Sequence, residues 1–581
     1  MHYTLDRFTS DIERAILATG RVPEELLELQ QPKANIPADL TFPTFRAAKT
    51  LGIAPPQLAQ ELAATVRFDP ETLVGEVATS GAYLNFTLHP QRLAASVLYE
   101  ILTLGATYGH TNQGQGRTVV IDYSSPNIAK RMHVGHIRST IIGHALVQLY
   151  RALGYHTIGD NHLGDWGKQF GVILAAIDRY GKPTAEGEAV LAELETIYSR
   201  YSTAMKDDPA MDAAARAWSL RLEQGDPHAR ELWQWCVSTT LAANQRNYDR
   251  LGVQFDHMYG ESFYEEMLEG AIAEAIERGV ARRDEDGSVV VELEGLPLFL
   301  LQRNDGGTLY ITRDVTTIQF RLREFTPERI IYVVGSEQEL HFRQLFALMR
   351  AMGYAQNVEL VHIPFGRIFD AQGQPISTRR GNMIYLEDML NEATRRAKAV
   401  LDSKQSELSA AEQDQIAEMV GVGAVIYNDL YQDTRRNITI DWDRMLATEG
   451  NSATYLQYSY ARCRSILRRA AADGDLSAEH LPAPSTELAA LLTEPAEQQL
   501  LRHLARMPQA VREAGNRYAP FVLADWCYTT AREFGVFFEQ CPVLKAATPD
   551  LRAARLLLVA ATAQALHNGL ALLGIQAPER M

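Results

Sequence analysis

Residues 124–136 read SSPNIAKRMHVGH, and they join the apolar run TVVI at 118–121 to a segment with helical periodicity. The apolar run predicts a buried strand, so the polar groups that follow it should lie at the carboxyl end of a parallel strand, where open α/β sheets bind nucleotides. His133 and His136 bracket Gly135 at the predicted start of the helix. Imidazoles can reach phosphate oxygens, free backbone amides face an anion, and glycine lets a base approach closely. The stretch therefore predicts a site for ATP.

The composition is that of a large globular protein. The chain has 581 residues, of which 46% are hydrophobic and 22% are charged, and this length predicts three or four domains. No apolar run approaches the roughly 20 residues of a membrane span. The N-terminus carries acidic residues where a signal peptide would be basic. We expect a cytoplasmic protein that does not bind a membrane.

Cysteine spacing and net charge narrow the kinds of site further. The four cysteines are scattered and form no C-x-x-C pair, so neither disulfides nor a zinc site is indicated, and no metal site is predicted on the protein. The net charge of −16 argues mildly against nucleic-acid binding, and we expect no DNA partner. Basic clusters nevertheless occur at Arg379–Arg380, at Arg435–Arg436 and along 462–469.

Breaks in the pattern divide the chain into four predicted domains. An N-terminal domain at 1–112 mixes helical and strand-like pieces and ends at the linker QGQGR. A Rossmann-type catalytic domain follows at 113–385, interrupted at about 172–294 by an insertion of charged, alanine-rich helices. Helical periodicity then dominates to the C-terminus, in a linker region at 386–448 and a terminal helical domain at 449–581.

Within the catalytic domain the pattern predicts alternating helices and strands. The helix after the histidines ends at Gly154. The segment TLYIT at 308–312 is strand-like, and Asp314 follows it. Further elements are predicted as a strand at 155–158, a strand at 329–334, a helix at 337–352 and a strand at 358–363.

Six segments, in the same order along the chain, carry a family resemblance. They are SSPNIAKRMHVGH at 124–136, DNHLGDWGKQFG at 160–171, TLYITRD at 308–314, GSEQELHFRQ at 335–344, STRRGN at 377–382 and LLGIQAPERM at 572–581. Together they closely resemble bacterial-type arginyl-tRNA synthetases of class I, over essentially the whole chain. The H-x-G-H pattern alone would be weak, because related nucleotidyltransferases share it.

This resemblance implies both a fold and an activity. The fold is a class I Rossmann-type parallel sheet with an insertion, an N-terminal α+β domain that binds the tRNA elbow and a C-terminal α-helical anticodon-binding domain. The activity is ATP-dependent ligation of L-arginine to its cognate tRNA through arginyl-adenylate, with Mg2+ bound through ATP. Activation of arginine is expected to require bound tRNA, and the protein is expected to be a monomer.

The resemblance also assigns catalytic and ATP-binding residues. The histidines of the first signature stabilise the α-phosphate as the arginine carboxylate attacks it. The second signature departs from the usual K-M-S-K-S, because Pro375 occupies the first lysine position. Lys130 and Arg379 are the candidate replacements for that cation, and each could instead be an ordinary exposed charge. The predicted catalytic residues are His133, His136, Lys130 and Arg379; the predicted ATP-binding residues are His133, Gly135, His136, Ser377, Thr378 and Arg379.

A pocket for arginine needs carboxylates, because a guanidinium is always charged and donates in a fixed fork. The positions that match the family's pocket are Asp122, Asn127, His133, Tyr310, Asp314 and Gln338. Asp314 could instead be a helix N-cap, and Asp122 a solvated strand end. Such a pocket would reject lysine and neutral analogues strongly enough that no editing site is needed. We therefore interpret the insertion at 172–294 as scaffold or acceptor-stem contact.

Candidate tRNA-binding residues lie at both ends of the chain. Tyr83 and Asn85 match positions that read a base in the tRNA D-loop, although the pattern equally fits a half-buried strand. Aromatic and guanidinium groups at helical spacing near 455–469 could stack on anticodon bases or could pack in the core. The predicted residues are Tyr83, Asn85, Tyr455, Tyr458, Arg462, Arg469 and Met581.

Two other hypotheses remain open from the sequence. The chain could be a tRNA-binding paralogue whose altered second signature no longer supports catalysis, although His133, His136, Asp122 and Asp314 are all present. It could also be another class I enzyme, such as a cysteinyl-tRNA synthetase, which would need a zinc-binding cysteine set. Aminoacylation with each labelled amino acid, with and without tRNA, separates the three hypotheses.

Overall fold

The structure is a computed structural model that describes residues 2–33, 36–376, 384–402, 408–472 and 481–581. It confirms the predicted fold class: a parallel sheet with an insertion lies between an N-terminal α+β region and a C-terminal helical region. In the described residues, no helix is both long and apolar enough to cross a membrane. All four cysteines are buried and unpaired.

The N-terminal region is a small antiparallel sheet with helices. Its elements are α1 (Thr4–Ala18), β1 (Leu40–Pro43), α2 (Phe45–Leu51), α3 (Pro55–Thr65), β2 (Val74–Ser80), β3 (Tyr83–Leu88) and α4 (Pro90–Leu104). The strands lie in the order β1-β3-β2. The region docks on the C-terminal helices, where Tyr108 donates to the carbonyl of Leu504 at 3.0 Å.

The first half of the catalytic domain contains the signature helix and the insertion. Its elements are β4 (Thr118–Asp122), α5 (Val134–Ala152), β5 (His156–Asp160), α6 (Lys168–Tyr180), α7 (Glu188–Ala204), α8 (Pro209–Glu223), α9 (Pro227–Leu251), α10 (Leu268–Glu277), β6 (Ala281–Arg283), β7 (Val289–Val291) and β8 (Phe299–Gln302). A 3-10 turn at Glu261–Met267 precedes α10. The prediction of helices throughout 172–294 is wrong for β6 and β7, where β-branched residues flank a turn at Gly287.

The second half completes the parallel sheet. Its elements are α11 (Tyr310–Phe325), β9 (Arg329–Gly335), α12 (Glu339–Ala351), β10 (Glu359–Phe365) and β11 (Ile368–Phe369). The four long strands lie in the order β10-β9-β4-β5, all parallel. Asp122, at the end of β4, is in register with Asp160 on β5 and with Tyr332 on β9. Polar groups from three strands therefore converge at the carboxyl edge of the sheet.

The segment 308–312 is not a strand, contrary to the prediction. Helix α11 begins at Tyr310, and Leu309 occupies the N-cap position. The Thr312 hydroxyl accepts a hydrogen bond from the Leu309 backbone N–H at 3.2 Å, and this bond stabilises the start of the helix. The strand-like residues around Thr312 had favoured the prediction of a strand. Asp314 is thus inside the helix, and the alternative that it is an N-cap is also wrong.

The described residues after 385 are mostly helical, as predicted. The elements are α13 (Leu386–Asp402), α14 (Ala410–Leu430), β12 (Ile438–Thr439), α15 (Trp442–Met445), α16 (Ala453–Ala472), α17 (Thr486–Ala489), α18 (Pro495–Leu504), α19 (Met507–Asn516), α20 (Pro520–Gln540) and α21 (Pro549–Leu572). Strand β12 pairs in parallel with β11.

One buried arginine fixes the signature helix to this helical region. Arg138 of α5 has no exposed surface. It forms an ion pair with Asp429 of α14 at 3.0 Å and donates to the carbonyls of Gly366 and Arg436 at 2.8 and 2.9 Å. These contacts fix the start of α5 relative to Gly366, which precedes the second signature.

Candidate active site

His133 and His136 form a stacked pair at the start of α5. Their ring centroids lie 4.0 Å apart. His133 is the N-cap, and its Nδ1 accepts a hydrogen bond from the backbone N–H of Gly135 at 3.1 Å. Nδ1 of His136 accepts from the backbone N–H of His133 at 3.2 Å. A Cβ on Gly135 would lie 2.8 Å from Cε1 of His133, so this capping geometry requires glycine.

These hydrogen bonds fix the protonation of both rings. A nitrogen that accepts from a backbone N–H carries no proton, so each imidazole carries its proton on Nε2. Burial lowers the pKa of His133, and Lys130 lowers it further against the opposing effect of Glu195. Burial also lowers the pKa of His136, with additional contributions from His133 and Lys130. Both rings are therefore neutral near pH 7 and offer Nε2–H donors.

Lys130 lies beside this pair. Its ammonium lies 5.7 Å from the centroid of the Tyr198 ring on α7, and its charge acts on both imidazoles. It lines a cleft of 660 Å³ between the signature segment and the insertion, together with Arg131, Glu195 and Tyr385. The insertion therefore forms one wall of the site next to Lys130.

The chain that follows the second signature pairs with the first. The backbone N–H of Val134 donates to the carbonyl of Ile384 at 3.0 Å, and that of Leu386 donates to Met132 at 2.9 Å. Arg131 lies 3.4 Å from the centroid of the Tyr385 ring and forms an ion pair with Glu195 at 2.9 Å. The candidate residues Ser377, Thr378 and Arg379 lie outside the described residues.

The turn that enters the signature is held in an unusual backbone conformation. Ser124, Ser125 and Ala129 have φ values of +75°, +48° and +61°. Non-glycine residues adopt this region at a cost that the surroundings must offset. Here the backbone N–H of Ser124 donates to the Ser139 hydroxyl at 2.9 Å, and that of Ser125 donates to Asn161 at 3.0 Å. The polar turn is thereby fixed against β5 and α5.

Asp122 is buried and paired. It is 5% exposed, so the alternative of a solvated strand end is wrong. Its Oδ2 accepts from Nη2 of Arg321 on α11 at 2.6 Å, and its Oδ1 accepts from the Ser125 hydroxyl at 3.2 Å. Arg321 also donates to Oδ2 of Asp160 from Nη2 and Nε, at 2.8 and 3.1 Å. The sequence analysis did not select Arg321 or Asp160, although Asp160 begins one of the quoted segments.

Asp314 also has a partner within the protein. Its Oδ2 lies 2.6 Å from Nε2 of His341 on α12. His341 belongs to the segment GSEQELHFRQ, which the sequence analysis quoted without assigning the histidine. Both carboxylates act on Tyr332: burial raises its pKa, Arg321 lowers it, and the charges of Asp122 and Asp314 raise it again. Asp122 and Asp314 thus act on one common side chain.

The other predicted pocket residues are on the open side. Tyr310, the first residue of α11, is 73% exposed, and Gln338 and Asn127 are also exposed. Asn127 lies against Gly164, where an added Cβ would come within 2.5 Å of its Oδ1. The side chains of Tyr310, Gln338 and Asn127 are therefore accessible to solvent, whereas that of Asp122 is buried.

Glu261 is a buried carboxyl group beside Asp314. It lies in the 3-10 turn before α10, with its Oε2 3.6 Å from Nε of Arg313. Burial raises its pKa to about 7; Arg313 and His162 oppose this rise, and Asp314 and Asp165 add to it. The part of the site around Asp314 therefore contains a carboxyl group with a pKa near neutral pH.

The N-terminal candidates differ in accessibility. Tyr83 is half-buried and makes an edge contact with Phe45, which is 49% exposed, at a centroid distance of 5.5 Å. Asn85 is 8% exposed and is in register with Thr41 of β1. Phe45, which was not among the predicted residues, is thus more exposed than either Tyr83 or Asn85.

The candidates on α16 form an aromatic and guanidinium cluster. Arg462 donates to the Tyr458 hydroxyl at 2.9 Å and lies 4.9 Å from the ring of Phe538 on α20. Tyr455 is half-buried and packs on Tyr528, and Arg469 is exposed. Met581 is partly buried and packs near the α13–α14 pair. Phe538 was missed because it lies far away in sequence, on another helix.

Three family models match this chain in succession. The N-terminal model, for the arginyl tRNA synthetase N terminal domain, matches residues 6–88. The model for tRNA synthetases class I (R), catalytic domain, matches 97–442, and the DALR anticodon binding domain matches 456–581.

Whole-chain comparisons agree with these models. The chain is 68% identical to an arginine–tRNA ligase of Chloroflexus aurantiacus over the full length of both. It is 38% identical to one from Lactococcus lactis, over 95% of each chain. The solved arginyl-tRNA synthetase of Thermus thermophilus has the same fold, with a TM-score of 0.82 over 99% of this chain and 100% of that one, at 24% identity. This chain belongs to the arginyl-tRNA synthetase family of class I.

Proposed function

We propose that this protein ligates L-arginine to its cognate tRNA in two steps. Arginine and ATP give arginyl-adenylate and pyrophosphate, and the terminal adenosine hydroxyl of the tRNA then takes the arginyl group. The observation that carries this proposal is the pairing of two neutral, Nε2–H-bearing imidazoles with a carboxylate-rich pocket at the same sheet edge, in a chain 68% identical to arginine–tRNA ligases over its full length.

The histidine pair supplies the stabilisation of charge in the first step. As the arginine carboxylate attacks the α-phosphorus, negative charge develops on the phosphate oxygens. Donors that are already oriented stabilise this charge without reorganising. The Nε2–H groups of His133 and His136 are oriented by their Nδ1 hydrogen bonds, and Lys130 adds a positive charge beside them. Gly135 leaves room for ATP, and Mg2+ would arrive bound to its phosphates.

The carboxylates select the amino acid. A guanidinium presents a planar fork of donors that a lysine ammonium cannot reproduce. Asp314 and Asp122 are the proposed partners of the side chain, with Tyr310 and Gln338 on the open side and Asn127 near the main-chain groups. Because unpaired buried polar groups are costly, neutral analogues such as citrulline should be rejected.

The two ends of the chain are proposed to hold the tRNA. Tyr83 and Asn85 would contact the elbow, and the cluster around Tyr458 and Arg462 would contact the anticodon, where aromatic and guanidinium planes stack on bases. Domains at 1–112 and 449–581 would carry these contacts. We propose further that activation of arginine requires bound tRNA, and that the protein works as a monomer in the cytoplasm.

Aminoacylation with labelled amino acids tests the function. We expect tRNA charging with arginine alone among the twenty amino acids, and arginine-dependent ATP–pyrophosphate exchange only when tRNA is present. Charging with another amino acid, or none with arginine, would overturn the proposal. Full-rate exchange without tRNA would overturn the tRNA requirement alone.

A further inference from the structure

Arg321 forms a buried triad with two carboxylates. It has no exposed surface, Asp160 has none, and Asp122 is 5% exposed. Three hydrogen bonds between 2.6 and 3.1 Å join the guanidinium to the two acids. The acids are in register on neighbouring parallel strands, which lie about 4.8 Å apart. Arg321 is on the same helix as Tyr310 and Asp314, so one element carries both this cation and the proposed arginine-binding residues.

The triad has a net charge of −1 when both acids are ionised. Two carboxylates this close repel each other, and burial alone would favour proton uptake by one of them. Burial by itself would lower the pKa of Arg321, but Asp122 and Asp160 raise it well above its usual value. The guanidinium therefore stays charged and offsets one of the two acids.

We propose that Arg321 is a positioning residue for substrate arginine. Resting on the proposed function, the inference is that this internal guanidinium holds the Asp122 carboxylate in place and offsets the charge of Asp160 beside it. Oδ1 of Asp122 is left with the Ser125 hydroxyl as its partner in the part of the chain that the structure describes. The triad therefore keeps one uncompensated negative charge, which the side chain of the substrate neutralises.

Three tyrosines interact with members of the triad. Tyr332 of β9 lies with its ring 5.4 Å from the Arg321 guanidinium. Tyr264, in the turn before α10, interacts with all three members of the triad, and Tyr259 interacts with Asp160. Burial raises the pKa of each tyrosine, so all three are neutral between pH 6 and 9. Asp314 is the remaining acid that faces Tyr332.

The test is the KM for arginine of the full-length enzyme between pH 6 and 9, expressed as the ratio of variant to wild type. Arg321→Met leaves two facing carboxylates, one of which takes up a proton at low pH. We expect the ratio to exceed tenfold at pH 7, to be larger at pH 6 and to fall towards 1 as pH rises, with kcat within threefold. In Arg321→Met with Asp160→Asn, Asp122 no longer faces a second carboxylate, so most of the increase and its pH dependence should disappear.

Controls separate this role from folding and from the proposed function. Arg555→Met breaks a comparable buried pair with Glu497 in the helical domain and should lower stability without changing KM. If Arg321→Met does not fold, the double variant is measured instead. A ratio of its KM to the wild-type KM that stays below tenfold and does not change with pH supports the inference. A ratio within threefold at every pH for Arg321→Met, or a pH-dependent increase that persists in the double variant, overturns it. Wild-type enzyme that fails to charge arginine overturns the proposed function instead.

Discussion

The proposed phosphate end of the site, at His133 and His136, and the proposed amino-acid end, at Asp122 and Asp314, are built in opposite ways. At the phosphate end, internal hydrogen bonds occupy Nδ1 of His133 and His136, and the Nε2–H groups remain available. At the amino-acid end, each carboxylate already has an internal partner: Arg321 lies 2.6 Å from Asp122, and His341 lies 2.6 Å from Asp314.

This difference assigns a kinetic role to each end. Donors that are oriented before the substrate arrives act on the charge that develops in the transition state, so losing one lowers kcat. Carboxylates that must be shared with an internal partner discriminate in binding, because a weak or neutral side chain cannot compete for them. Losing one of them raises the KM for arginine.

The largest effect is expected for His136→Asn. Removing one positioned donor costs about 100- to 1,000-fold in kcat for comparable oxyanion sites, and the KM for arginine should stay within threefold. Rapid-quench measurement of adenylate formation with tRNA present gives both values. His144→Gln, which changes another buried histidine of α5, should keep kcat. A loss of kcat below fivefold for His136→Asn would contradict the role of His136 in stabilising the transition state.

Asp314→Asn should act on binding. A hydrogen bond to a charged group contributes about 1.5–3 kcal/mol, so the KM for arginine should rise about 10- to 100-fold while kcat changes little. Steady-state aminoacylation over a range of arginine concentrations measures this. Asp305→Asn, in the exposed turn before α11, is the matched control and should leave KM unchanged. A fall in kcat at constant KM would contradict the binding role.

Lys130→Ala should lower kcat about tenfold, or about 1.4 kcal/mol of barrier. The physical reason is the loss of the positive charge that acts on both imidazoles. Lys182→Ala is the control, since Lys182 also lies over an aromatic ring of the insertion, 4.4 Å from Trp235. A loss below threefold for Lys130→Ala would leave Arg379 as the candidate replacement for the missing lysine.

Glu261→Gln should have the smallest effect, on pH dependence. Burial raises the pKa of Glu261 to about 7, so the wild-type group gains negative charge as pH rises through that value. Because the new charge lies near Asp314, the KM for arginine should fall about threefold between pH 6 and 8, on the scale of a partly screened charge pair. The glutamine variant should show a flatter profile. If the wild type and Glu261→Gln show the same dependence of KM on pH, Glu261 does not affect arginine binding.

Local pattern predicted much of this molecule. The strand at 118–121, the helix that follows the signature and the strand at 329–334 follow from apolar periodicity, and the structure has all three, although α5 already starts at Val134. The position of the histidine pair was predicted from the same local pattern, because the two histidines lie where a predicted strand ends and a predicted helix begins. These features depend on neighbours in sequence.

Features that depend on distant neighbours were missed. Arg321 lies 199 residues from Asp122, and nothing in its own segment indicates a buried ion pair. Phe538 of α20 packs against Arg462 of α16, and the two residues lie far apart in sequence. The start of α11 was mistaken for a strand because β-branched and aromatic residues in TLYIT outweighed the side-chain hydrogen bond of Thr312.

A double-mutant cycle on kcat/KM for arginine, with His136→Asn and Asp314→Asn, tests most directly whether the two ends act independently. Distant sites that share no partner combine additively within about 0.3–0.5 kcal/mol. We predict that the loss in the double variant equals the product of the two single losses within threefold. A double variant no worse than the more damaging single variant would show that the two ends work as one unit and would contradict this account.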